Sequence, residues 1–259
     1  MSEAIQVFPS PGPKIRLVPI DRPWEWLAAG WRDYMRTPQI GLAYGAVLVV
    51  AGFAVVLCLY LADELYLVLP ITAGFMFVAP ALAVGLYEVS RRLQAGEAPT
   101  LGASVSAWRR NAGQIAALGL ILMLLHLVWV RIAMLLYPLF FTGGNPDLAD
   151  LPNILLFSPM SLPFLVVGTI LGGCLAAVVF AISAVAIPML VDRDVGVITA
   201  IATSVVAVRG NLRPMALWAA IIVVFTGAGL ALFYVGLAVT LPLIAHASWH
   251  CYKDLVELG

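Results

Sequence analysis

Six apolar stretches constrain this chain more than any other feature in it. They cover residues 41–61, 67–87, 114–136, 165–190, 214–233 and 235–252, and a helix of ~20 apolar residues is what crosses a hydrocarbon core of ~30 Å. The last two lie in one uninterrupted apolar run. Read as a single tilted helix, about half of that run exceeds the hydrocarbon thickness, so a break is expected at residues 234–236. With 63% hydrophobic and 11% charged residues, against ~25% charged in soluble domains, the expected fold is an all-α polytopic membrane bundle with six transmembrane helices.

Charge placement supports the same count. Thirteen of the 14 Lys and Arg residues precede the first stretch, lie between the second and third or the fourth and fifth, or follow the sixth. Short loops rich in Lys and Arg stay cytoplasmic, which predicts both termini inside and Asp63, Glu64, Asp147 and Asp150 outside. The net charge of zero therefore conceals a polarity across the bilayer and offers nothing to a nucleic acid. The fourteenth cation, Arg131, falls about 30 Å along its helix from Asn111, near the outer headgroups. Snorkelling accounts for it, or a buried pair with Glu64, Asp147 or Asp150.

The chain also repeats itself. Ser104-Val105-Ser106-Ala107-Trp108-Arg109-Arg110-Asn111 precedes the third stretch, and Ser204-Val205-Val206-Ala207-Val208-Arg209-Gly210-Asn211 precedes the fifth. Gly30-Trp31-Arg32-Asp33-Tyr34-Met35-Arg36-Thr37 is a fainter copy before the first. Later in the units, Gly74, Pro80, Tyr87, Glu88 and Arg91 recur as Gly236, Pro242, Trp249, His250 and Lys253 at identical spacing. Self-similarity of this kind marks structural modules. The predicted organisation is an extended, proline-punctuated cytoplasmic tail over 1–20 and one membrane domain over 21–259. That domain has units of about 21–95, 96–195 and 196–259, each an interfacial helix followed by a two-span hairpin. The tail lacks the pattern of a cleavable signal, so no removal is expected.

The first interfacial helix opens with Asp21 as N-cap and Pro23 in its first turn. Trp24, Trp26, Leu27 and Trp31 oppose Glu25, Arg32, Asp33 and Arg36, an amphipathic pattern suited to the headgroup plane. Trp24, Trp26, Trp31, Arg109, Arg110, Arg209 and Arg213 are accordingly expected to contact lipid or a partner protein. On the fourth stretch Gly168, Gly172 and Ala176 recur every four residues, with Gly173 beginning a second row. Close backbone approach along such rows predicts a central packing helix, whether against another span or a second subunit.

Candidate chemistry is sparse. His246 and His250 share a helix face, and His126 is the one further histidine for a metal or an axial haem pair; two histidines do not complete a site, and neither metal nor cofactor is expected. Cys58, Cys174 and Cys251 have neither disulfide-framework nor CxxC spacing. No phosphate loop, nucleophile elbow or zinc-protease helix occurs, so no enzymatic activity is expected. The glycine- and proline-interrupted second and sixth stretches could instead form a midplane solute site from Gly74, Pro80, Glu88, Gly236, Pro242, His246 and His250. A polar cavity there would favour transport, and a dry core would count against it. The long outer segment 141–163, with Gly143-Gly144-Asn145-Pro146-Asp147 and a short turn at 154–157, is either a variable connector or the first place an external partner would bind.

Four stretches carry a resemblance to a known family. Arg22-Pro23-Trp24-x-Trp26-Leu27-x2-Gly30-Trp31-Arg32-Asp33, Gly85-Leu86-Tyr87-Glu88-x-Ser90-Arg91-Arg92, Pro188-Met189-Leu190-x-Asp192-Arg193-Asp194 and His246-Ala247-x-Trp249-His250-x-Tyr252-x-Asp254 resemble the bacterial multi-pass family called domain of unknown function 2189. The resemblance implies an inner-membrane protein and brings no catalytic residue. Two readings of function stay open. One is a non-catalytic accessory or assembly partner of a membrane complex, or a factor acting on the lipid leaflet; the other is a small-solute transporter or channel. The expected partners are membrane lipids and a larger membrane complex or a second copy of the chain.

Overall fold

Within hydrocarbon the backbone must satisfy its own hydrogen bonds, so apolar stretches of this length become helices. The computed structural model describes residues 13–141 and 150–257. Its helices are α1 (Arg22–Arg36), α2 (Pro38–Leu61), α3 (Val68–Leu82), α4 (Val84–Gln94), α5 (Leu101–Ser106), α6 (Ala112–Phe140), α7 (Leu151–Phe157), α8 (Ser161–Ser183), α9 (Ala186–Asp192), α10 (Val197–Gly210), α11 (Leu212–Ala231) and α12 (Leu237–Leu255). A single 3-10 turn precedes α3 and another follows α5. Two short strands, β1 (Lys14–Ile15) and β2 (Val256–Glu257), pair antiparallel. The Gly143–Asp147 part of the outer loop lies outside the described residues, and the turn expected at 154–157 belongs to α7.

Five helices are long and apolar enough to cross a membrane: Pro38–Leu61, Leu65–Leu82, Ala112–Phe140, Ser161–Asp192 and Leu212–Ala231. The expected sixth, α12, is of another kind. Its second half carries His246, Trp249, His250, Lys253 and Asp254 and is largely buried in protein. Its uncharged first part, residues 237–245, spans only about 13 Å of helix and includes Thr240. The break between α11 and α12 falls where expected. Phe233 and Tyr234 adopt φ of 51° and 66° there, a left-handed conformation uncommon for aromatic residues. Tertiary contacts fix the turn: the Tyr234 ring packs on Phe53 and its hydroxyl bonds that of Thr72.

Where α8 gives way to α9, Pro188 has no N–H for the carbonyl four residues back. Val185 N–H, released from the helix at this break, donates to Ser204 Oγ at 3.1 Å. α3 and α4 are similarly offset at Ala83. Beyond these breaks, α4, α9 and the second half of α12 pack on one another. Leu86, Tyr87, Ile187, Met189, Trp249 and Tyr252 form the dense centre of the molecule. The core therefore sits at the end of the bundle that carries both described chain ends. The long helices leave Val47, Leu57, Leu124, Ile170 and Val224 exposed, since lipid tails are as apolar as a core.

Around this core α1 lies on α12, α5 on α4, and α10 on α8 and α9. The span after each of these peripheral helices starts from an N-cap of the same conformation: Thr37 at φ −136°, ψ 46°, Asn111 at −142°, 51° and Asn211 at −124°, 42°. Asn111 Nδ2 donates to the carbonyls of Arg193 and Val195, and Asn211 Nδ2 to that of Arg16. Residues 14–18 are docked on the core: Val18 N donates to Asn211 Oδ1 at 2.9 Å, and β1 is tied to β2.

Candidate functional site: buried carboxylates under an arginine and tryptophan collar

Four carboxylates occupy the buried end of the bundle. Glu88, 2% exposed, accepts from Arg91 Nε at 2.7 Å and Arg92 Nε at 2.9 Å, and Arg110 reaches it at 3.3 Å from the neighbouring segment. Asp254 accepts from Arg22 Nε at 2.7 Å and Trp26 Nε1 at 2.9 Å. Asp192 accepts from the Tyr252 hydroxyl at 2.7 Å and Lys253 Nζ at 3.1 Å. Asp33 Oδ2 accepts from Ser90 Oγ and His250 Nε2, both at 2.8 Å.

Burial raises the pKa of Asp33, but the hydrogen bonds from His250 and Ser90 outweigh it and hold the carboxyl below its usual range. Glu88 follows the same logic, with burial opposed by its bonds to Arg91 and Arg92. Both are anions in the folded protein at neutral pH. Since the one Ser90 proton goes to an acceptor-only carboxylate, Ser90 Oγ must accept from His246 Nδ1, 2.8 Å away. His246 Nε2 is then a bare acceptor, and it is buried without a partner.

With its acids turned inward, this end presents cations outward. Arg32, Arg36, Arg109, Arg209 and Arg213 are exposed and have no ion-pair partner among the described residues, against two exposed acids in the same position, Asp21 and Asp194. Trp24, Trp31 and Trp108 are exposed among them. Trp26 corrects the sequence reading: it is 2% exposed, edge-on to Trp218 and bonded to Asp254, so it meets neither lipid nor a partner. The face of α1 that packs runs through Trp26, Gly30, Asp33 and Tyr34, a stripe of helical spacing that places Asp33 inside. Arg110 is exposed but shared with Glu88.

The residues expected to form a midplane site do not surround one cavity. Gly74 lies under the rings of His126 and Trp129, Gly236 against Gly229, and Pro242 beside Gly41. Helix contacts fill the space where the site was expected. Glu88, His246 and His250 belong to the buried network, and Pro80 lines a cavity. His126 Nδ1 bonds the Gly74 carbonyl at 2.9 Å, apart from the other histidines. On α8, Gly168 approaches Leu136 and Gly172 the Trp129 ring, yet Gly173 meets nothing within 4 Å. Gly173 and Ala176 instead line two cavities of about 560 Å³ each. The packed centre lies instead in α4, α9 and the second half of α12: the first row on α8 packs through Gly168 and Gly172, but Gly173 of the second faces a gap. Arg131 is exposed and pairs with neither Glu64 nor Asp150; Asp147 is outside the described residues.

A helical bundle whose long helices expose apolar side chains along their length is an integral membrane protein. Residues 68–192, from α3 to α9, match the family model described as a predicted integral membrane protein (DUF2189). Comparison with curated proteins and with solved structures gives no match. Sequence reasoning missed Ser90, Asp192 and Asp254 as network members. Their signal was a place in the motifs that carry the family resemblance, each a polar residue at the end of an apolar helix.

Proposed function

We propose that the protein is a non-catalytic inner-membrane protein that acts on the anionic cytoplasmic leaflet through its arginine and tryptophan collar. The observation that carries this reading is the sorting of charge: the carboxylates of this end are mostly engaged inside, and five arginines stand exposed beside three exposed tryptophans. Basic residues near an anionic surface contribute about 1 kcal/mol each. Purified protein in neutral detergent is expected to melt at a higher temperature with added phosphatidylglycerol than with phosphatidylcholine. Replacing Arg32, Arg36, Arg109, Arg209 and Arg213 with glutamine is expected to abolish the difference. Equal effects of the two lipids on the wild type, together with a stoichiometric co-purifying protein, would favour the accessory-partner reading instead. Small-solute transport draws no support from cavities with mostly apolar walls.

This reading includes six crossings in three related units, with both termini cytoplasmic. The shared N-cap conformation supports it, as do three contacts at matching places in the repeats. Gly30 lies against Ala247, Ser104 Oγ donates to the Gly85 carbonyl at 2.8 Å, and Ser204 Oγ accepts from Val185 N at 3.1 Å. Each peripheral helix thus packs on the returning helix of the unit before it, and α1 on that of the last. The pairing of β1 with β2 supports both ends on one side, and so an even number of crossings. Cysteines replacing Lys14 and Glu257, partners in that pairing, should form a disulfide in intact membranes; reaction with an impermeant maleimide from opposite sides would refute the even count.

A further inference from the structure

Two seams between neighbouring units are closed by glycine: Gly45 of α2 lies on Ala238 of α12, and Gly74 of α3 under His126 and Trp129 of α6. The cyclic order makes the third seam α8 against α11. These helices barely touch, and a side chain at Gly173 or Gly227 would meet nothing within 4 Å. The gap is one of the two cavities of about 560 Å³, walled by Ala177, Phe180, Met215, Ala219 and Ile222, a volume within the usual range for small ligands.

Its wall on α11 runs from Leu212 to Thr226, about 21 Å of helix. That exceeds one leaflet's share of a ~30 Å hydrocarbon core. Ser183 and Ser248, also on the wall, donate their hydroxyls to carbonyls of their own helices, and most of the remaining lining is apolar. At one end it is lined by Val208 and Leu212, whose chain neighbours Arg209 and Arg213 are exposed and unpaired among the described residues.

We propose that this seam holds an acyl chain of an anionic phospholipid, with the headgroup phosphate at Arg209 and Arg213. The proposal rests on the collar reading and gives it a ligand class and a place. A slot deeper than one leaflet, with two cations at one end that have no ion-pair partner among the described residues, matches the chain and the charge of one such lipid together.

The test reconstitutes the full chain in nanodiscs containing phosphatidylglycerol or phosphatidylcholine with a photoactivatable diazirine in the acyl chain, and maps the labelled peptides. Phosphatidylglycerol label should concentrate on α8 and α11. Filling the slot with Ala177→Trp and Ala219→Trp should remove it there and leave label on other lipid-facing helices unchanged. Arg209→Gln and Arg213→Gln should each lower the preference for phosphatidylglycerol about fivefold, a comparison that stands even if the tryptophan variant fails to fold. Label spread evenly over the lipid-facing helices, or label that survives in a folded filled-slot variant, overturns the proposal. Even label with the phosphatidylglycerol-specific rise in melting temperature intact overturns the seam site alone; loss of that rise overturns the collar reading.

Discussion

Adding one methyl group at Gly45 is expected to cost about 3 kcal/mol of stability, while the same change at Gly227 is neutral or stabilising. Alanine is the better helix former by up to about 1 kcal/mol, so propensity alone predicts a gain at both positions. At Gly227 nothing lies within 4 Å of the added carbon, and that gain is what remains. At Gly45 the carbon would overlap the Cα and carbonyl of Ala238. Backbone cannot turn aside as a side chain can, so α2 and α12 must separate. Gly30→Ala meets the same obstacle, its Cβ falling 2.5 Å from Ala247 N, and should loosen α1 from α12. Reversible unfolding in mixed micelles, with Gly227→Ala as the control, measures the difference. A Gly45→Ala variant as stable as the wild type would mean that α2 and α12 do not meet as described.

The second large effect concerns Glu88. Glu88→Gln keeps the shape and removes the charge shared by Arg91, Arg92 and Arg110. Breaking a buried pair costs about 3–5 kcal/mol. The lower figure applies here, because these arginine side chains are partly exposed and water can recover them. The pH dependence follows in sign. Burial raises the Glu88 and Asp33 carboxyls, their hydrogen bonds outweigh it, and both titrate below the ordinary range. The unfolded chain therefore binds more protons between the ordinary and the depressed values, and stability falls as pH drops through that window. The contribution is intact above about pH 4 to 5 and lost in stronger acid. Glu88→Gln should be less stable at neutral pH and should show a shallower acid slope. An unchanged slope would mean that Glu88 is not the group under titration.

The outer boundaries of five helices were legible because crossing a bilayer is a local requirement: ~20 apolar residues in a row satisfy it whatever their neighbours are. The break between α11 and α12 was legible for the same reason, as surplus length. The basic collar was legible from which loops hold the arginines. Trp26 was not, since Trp24, Trp26 and Trp31 read alike along the chain and only the stripe through Gly30 and Asp33 tells which side packs.

What the sequence determined by itself was the medium, the helices and the sign of charge at one end, all functions of residues close in the chain. The tertiary structure alone decided that α12 serves as core more than as lipid-facing span, that Asp254 captures Arg22 and Trp26 from 232 and 228 residues away, and that one seam stays open. Those outcomes depend on which surfaces meet after the helices form, and hydropathy, being as apolar toward lipid as toward protein, carries no record of that choice.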